Sequence, residues 1–197
     1  MDALILDLRY NPGGILEGAI DVAERFLPKD AIIVSIKARS EDQNLIFKSS
    51  GTFTHPDYPI IVLVNEGSAS AAEIVAGAVQ DNKRGMVLGA KTYGKASVQT
   101  VIPLKDGSAL RLTTAAYLTP SGKLIKEQGI TPDVVVESEE VVKSDRFESP
   151  EEVFEKVSEN KKEDLDVSDK KKLEKDNQLE SAINLMKAIK VYSRDKV

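Results

Sequence analysis

Pro59-Ile-Ile-Val-Leu-Val64, then Asn65-Glu-Gly-Ser-Ala-Ser70, then Ala71-Ala-Glu-Ile-Val-Ala-Gly-Ala-Val-Gln-Asp81 follow one another without a break. The reading of this stretch decides the fold. Ile60 to Val64 is a continuous aliphatic, mostly β-branched run, short enough for a strand buried on both faces and too short for a core helix. Asn65, Glu66 and Gly67 punctuate it. From Ala69 onward, alanines and spaced aliphatics predict a helix reaching about Asn82. Ser70 therefore falls where a buried strand turns into a helix, beside first-turn amides that lack helical partners and are able to hold an oxyanion. A serine at a helix start is by base rate a cap, and Ser68 is the better candidate for that duty.

A serine hydroxyl needs a base, and the sequence offers one in Tyr93-Gly94-Lys95-Ala96-Ser97-Val98-Gln99, after a second short apolar run at Met86 to Leu88. Most lysines are solvated, but a neutral, desolvated lysine serves as a general base. At a free-lysine pKa of ~10.4, roughly fewer than one in a thousand is neutral at pH 7. Lowering it by ~3 units requires ~4 kcal/mol of differential destabilisation of the ammonium, within reach of burial. Lys95 is therefore expected to be enclosed. Gln99 lies four residues on, ~13 Å away in an extended strand, so contact with Lys95 requires a turn or bulge near Ala96.

The rest of the chain reads as a mixed α/β protein. Ala3 to Leu8 is a strand, ending in Asp7-Leu-Arg9-Tyr-Asn11-Pro-Gly-Gly14. Pro-Gly-Gly makes a tight turn with accessible amides, and Asp7 with Arg9 is expected to brace it. Ile15 to Leu27 carries Leu16, Ala19, Ile20, Ala23 and Phe26 at helical spacing. Ile32 to Ile36 and Leu45 to Phe47 form a hairpin, and Val98 to Leu104 and Ala109 to Leu118 another, turned at Asp106-Gly107. Asp133 to Glu137 is a last strand. In the central helix Glu73 is expected to bond locally or orient a loop, while Asp81 lies ~16 Å beyond Ser70 and is structural. Residues 138–175 form a charged linker or helical extension. Residues 176–197 form an amphipathic helix with Leu179, Ala182, Ile183, Met186 and Ile189 packed back on the core.

The 197 residues carry a net charge of −5, which argues against nucleic acid or an anionic membrane as main partner. With no cysteine there are no disulfides or thiolate metal sites, and no His/Asp/Glu cluster has ligand spacing, so neither metal nor cofactor is expected. No apolar run approaches the ~18 residues of a membrane span, and no signal peptide is visible after Met1. His55, the single histidine, is the residue that a Ser-His-Asp triad would have to use; it stands between Thr54 and Pro56, with no carboxylate evidently converging on it.

Asn65-Glu-Gly-Ser-Ala-Ser70-Ala-Ala-Glu73, Gly94-Lys-Ala-Ser-Val-Gln99, Asp7-Leu-Arg-Tyr-Asn-Pro-Gly-Gly14 and Gly129-Ile-Thr-Pro-Asp-Val-Val-Val136 together resemble the carboxy-terminal processing proteases, the S41-type tail-specific serine peptidases. The resemblance covers about residues 3 to 137, and residues 1–137 are taken as the catalytic core. It implies a ClpP/crotonase-like α/β fold, with Ser70 as nucleophile, Lys95 as general base and Gln99 positioning the lysine. It further implies an oxyanion hole from the amides of Ala71 and of Gly13 or Gly14. Ala96 departs from the family's more usual glycine, a change expected to be tolerated. The family's N-terminal helical region and PDZ domain have no counterpart in this sequence, so the chain reads as the catalytic part of a longer architecture, slow by itself. Implied partners are unstructured proteins or peptides, with a homo-oligomer or separate PDZ-type partner allowed, in an extracytoplasmic compartment. The rival reading is a non-catalytic peptide- or ligand-binding module on the same fold.

Overall fold

The computed structural model describes residues 1–52, 55, 58–126, 128–138 and 176–194. The charged stretch 139–175 and the last residues 195–197 lie outside them.

Two four-stranded sheets organise the chain. The first is parallel and contains β1 (Leu4–Asp7), β4 (Ile60–Val64), β5 (Met86–Gly89) and β8 (Val134–Val135), in the order β1-β4-β5-β8. The second is antiparallel, ordered β3-β2-β7-β6, from β2 (Ile32–Ala38), β3 (Leu45–Lys48), β6 (Ser97–Pro103) and β7 (Ala109–Leu118). Helices α1 (Leu16–Glu24), α2 (Ala71–Asp81) and α3 (Asn177–Arg194) complete the fold, with a short 3-10 turn at Glu41–Gln43.

All five residues of β4 are buried. Because side chains alternate along a strand, β4 feeds two cores. Ile60, Val62 and Val64 join α1, α2 and the inner residues of β2 in the larger one. Ile61 and Leu63 join Leu88, Ala182 and Met186 in the smaller, under α3. The continuous apolar run thus arises from covering a parallel sheet on both faces. The α3 stripe differs in detail from the sequence expectation: Ile183 is exposed and Leu185 packs inward with Leu179. Residues 179, 182, 185 and 186 make the contact.

Candidate active site

The parallel strands β1, β4 and β5 deliver three loops to the carboxyl edge of one sheet, the usual position for a site in an open α/β sheet. β1 runs into Leu8–Gly14, β4 into Asn65–Ser70, and β5 into Ala90–Ala96.

Ser70 stands at the start of α2 with φ 53° and ψ −116°, a conformation that costs an L-residue free energy and persists only where its surroundings impose it. Several bonds impose it. The Ser70 N–H donates to Glu73 Oε2 at 2.9 Å, and the Glu73 N–H returns to the Ser70 carbonyl at 3.0 Å. The Ala69 N–H donates to the Asn11 carbonyl at 2.9 Å, tying the turn to the loop after β1. Ser70 itself is half-buried.

Ser68 is not the cap that its position suggests. The turn at Ser70 moves the helix start beyond it, and Ser70 occupies the N-cap position. The fully buried Ser68 hydroxyl donates to the Leu8 carbonyl at 2.7 Å and accepts from the Asn65 N–H at 3.0 Å, joining the ends of β1 and β4.

Gly13 is pressed against Ser70. At φ 105°, a Cβ on Gly13 would lie 2.7 Å from Ser70 Cβ, 2.8 Å from the Ala69 carbonyl oxygen and 2.9 Å from the Ala71 nitrogen. The Gly13 N–H donates to Asn11 Oδ1 at 2.9 Å. Gly14, next in line, is exposed, with open space where a side chain would stand.

Glu73 joins the serine turn to the lysine loop. Its carboxylate is fully buried and accepts from Ser70 N–H, from Thr92 Oγ1–H at 2.6 Å and from Gly94 N–H at 2.7 Å, with the Lys95 N–H contributing. Desolvation pushes its pKa up, and the hydrogen bonds from Thr92, Gly94, Ser70 and Lys95 oppose that rise. Thr92 Oγ1 in turn accepts from the Ile130 N–H at 2.7 Å, fastening the Gly129–Asp133 segment to the same carboxylate.

Lys95 is half-buried rather than enclosed. One side is lined by the core through its neighbour Ala96, whose methyl is buried at 1% exposure. Beyond it the β6–β7 hairpin leaves Val101, Ile102, Leu104, Leu110 and Leu112 exposed. The irregularity expected near Ala96 lies further on, between Val98 and Gln99. Gln99 is exposed, and its Oε1 accepts from Arg111 Nε across the hairpin.

His55 belongs to the opposite edge of the sheet. Its N–H donates to the Arg25 carbonyl, and its ring stands 6.2 Å from that of Phe26 and 6.5 Å from that of Tyr58, just before β4 begins. Ser70 lies beyond the other end of β4, whose five residues alone span about 17 Å. A triad through His55 is therefore excluded by geometry.

Asn11, Thr92 and Asn65 were not singled out by their sequence. Asn65 Oδ1 accepts from Tyr10 N–H at 2.8 Å and Gly67 N–H at 3.1 Å. The two asparagines lie within two residues of the turn signals Pro12 and Gly67; Thr92 carries no signal of its own. Among the described residues no group of His, Cys, Asp and Glu is placed to hold a metal, and no helix is long and apolar enough to cross a membrane.

Residues 1–136 match the pattern of peptidase family S41. The chain is 53% identical over 133 residues to a carboxy-terminal-processing protease of Bartonella bacilliformis, covering 68% of this chain and 30% of that one. It is 44% identical over 136 residues to a carboxyl-terminal-processing protease of Synechocystis sp., covering 69% and 31%. The chain thus spans about a third of the length of these relatives. Among solved structures it resembles the photosystem II D1 C-terminal processing protease with a TM-score of 0.65 and 38% identity, covering 70% of this chain and 35% of that one.

Proposed function

The chain belongs to peptidase family S41, and on that premise we propose that it carries the catalytic centre of a serine endopeptidase that cleaves the carboxy-terminal regions of unstructured proteins. The observation that carries the reading is the buried Glu73 carboxylate, which bonds the backbone of the serine turn and of the lysine loop at once. Such a device holds a nucleophile and a base in fixed relation.

In this reading Ser70 Oγ attacks the scissile carbonyl carbon and its proton passes to neutral Lys95 Nζ. The tetrahedral oxyanion is held by N–H groups of Ala71 and Gly14. Gly13 is the weaker candidate, because its N–H is already given to Asn11. Collapse of the intermediate breaks the C–N bond, Lys95 returns the proton to the leaving amine, and water then hydrolyses the acyl-enzyme by the same route. Lys95 is half-exposed, so the bound peptide supplies the rest of its desolvation. Gln99 orients Lys95. With its Oε1 taken by Arg111, Gln99 offers N–H donors, which a neutral amine accepts and an ammonium does not. The substrate lies as an extended strand read through its backbone, and the compartment is extracytoplasmic, as the family resemblance implies.

The test is a serine-reactive fluorophosphonate probe with peptide mapping, followed by turnover of an unstructured substrate. Labelling at Ser70, lost in Ser70→Ala, with turnover abolished in Ser70→Ala and Lys95→Ala, is expected. A chain that binds peptide but is labelled nowhere is instead the non-catalytic module.

A further inference from the structure

The Arg9 side chain is engaged on both edges of its guanidinium. Its Nε donates to Asp7 Oδ1 at 3.0 Å and its Nη2 to Asp7 Oδ2 at 2.7 Å. The other edge of the guanidinium faces the start of α3: Nη1 donates to Asp176 Oδ1 at 2.8 Å and Gln178 Oε1 at 3.2 Å, and Nη2 to Asp176 Oδ2 at 2.7 Å. All five donors are thereby used, and both carboxylates are gripped by two parallel bonds, the arrangement that fixes orientation most strictly.

The α3 end is itself anchored. Asp176 Oδ1 accepts from the Leu179 N–H at 2.9 Å, capping the helix, while Gln178 is 1% exposed and donates to the Val136 carbonyl at 2.7 Å. On the other side of Arg9 the chain goes straight into the catalytic-edge loop. The Tyr10 N–H bonds to Asn65, the Asn11 carbonyl takes the Ala69 N–H, and Gly13 abuts Ser70. Docking α3 does not need this cluster, because Ala182 and Met186 already bury against Ile61, Leu63 and Leu88. Nor are partly exposed ion pairs a strong source of stability.

We propose that Asp176 and Gln178 are positioning residues for the active centre: by gripping Arg9 they hold residues 10–14 against Ser70, so that the C-terminal helix sets the geometry of the oxyanion hole. The proposal rests on Ser70 and Gly14 acting as described above. It assigns a role in the reaction to a helix outside the span 1–136 that matches the family.

The experiment uses the full chain with Asp176→Asn, which keeps a good helix cap but loses the charge and one acceptor, and Arg9→Lys, which leaves α3 intact and removes the fork. Three quantities are read: the rate of fluorophosphonate labelling at Ser70, kcat and KM on fluorescein-labelled casein, and hydrogen–deuterium exchange of residues 10–14. Labelling and kcat are expected to fall about tenfold or more, in keeping with the sensitivity of rate to sub-ångström placement, with KM within about twofold. Exchange at 10–14 should quicken while β4 stays protected and the melting temperature holds. The double variant should lose little more than either single one. Unchanged labelling with unchanged exchange overturns the proposal, and so does an effect on KM alone. If wild-type protein is not labelled at Ser70 but exchange at 10–14 still quickens in both variants, the nucleophile assignment fails and the hold of Asp176 and Gln178 on residues 10–14 stands. If Asp176→Asn unfolds α3, Arg9→Lys decides.

Discussion

Gly13 and Ser70 are in such close contact that a methyl group on the glycine would stand 2.7 Å from the serine Cβ. Both residues also have positive φ, 105° and 53°. Gly13→Ala is therefore expected to push the loop off the serine turn. A displacement of about 1 Å should lower kcat by about 100-fold, with ~1–3 kcal/mol of lost stability from the strained backbone. Activity within a factor of two of wild type would show that the loop moves without consequence for the reaction.

Ser68→Ala should separate stability from chemistry. It removes the hydroxyl that bridges Leu8 and Asn65, leaving buried backbone groups without that partner at a cost of ~1–3 kcal/mol. Denaturant unfolding should show this loss while probe labelling at Ser70 persists. Loss of labelling in folded Ser68→Ala, with Ser70→Ala still turning over, would reassign the nucleophile.

Glu73→Gln should show the cost of the buried charge and the value of its acceptors. The amide replaces one carboxylate oxygen with a donor, which must face Ser70, Thr92 or Gly94 donors, so turnover should drop sharply. Stability should depend on pH with a definite sign. Burial raises the Glu73 pKa above 4.5, against the opposing hydrogen bonds. A carboxyl with a raised folded pKa holds its proton more tightly in the folded state, so its contribution is fully present below the unfolded value and lost as pH rises through the folded one. The stability of wild type minus that of Glu73→Gln should therefore decline across that window and then level off. A difference that grows with pH contradicts the assignment.

His55→Ala should leave turnover within about twofold, since its ring sits with Phe26 and Tyr58 at the far edge of the sheet. Chelators should likewise leave activity unchanged. A large loss in folded His55→Ala, or zinc-dependent recovery after chelation, would reopen the mechanism.

The parts of the fold that were legible in the sequence are those that local chemistry determines. Ile60 to Val64 declares a doubly covered strand by composition alone, and the alanine-rich stretch behind it declares a helix. Pro12-Gly13-Gly14 declares a turn. The duties of Ser68 and Ser70 were not separable, because the backbone twist that hands the cap to Ser70 is imposed by Asn11 and Glu73 from outside the turn. Thr92 matters only because β5 returns beside α2. The half-burial of Lys95 depends on tertiary packing around the loop after β5, which no local periodicity reports. Arg9 and Asp176 are 167 positions apart; each alone reads as an ordinary loop brace and helix cap.

The pairing of β1 with β4 also bears on how the chain is made. Leu4 pairs with Ile60, and Asp7 with Leu63, so β1 leaves the ribosome well before the strand that it pairs with. At ~5–20 residues per second that interval is about 3–11 s. Throughout it Leu4, Ile5 and Leu6 lack the partner strand that they have in the finished sheet. Parallel pairing at such separation is intrinsically slow to form. Yield during synthesis should therefore respond to substitutions in β1 that leave the stability of the finished protein unchanged, and a polar residue at the half-buried Leu4 or Leu6 edge would act first on the newborn chain.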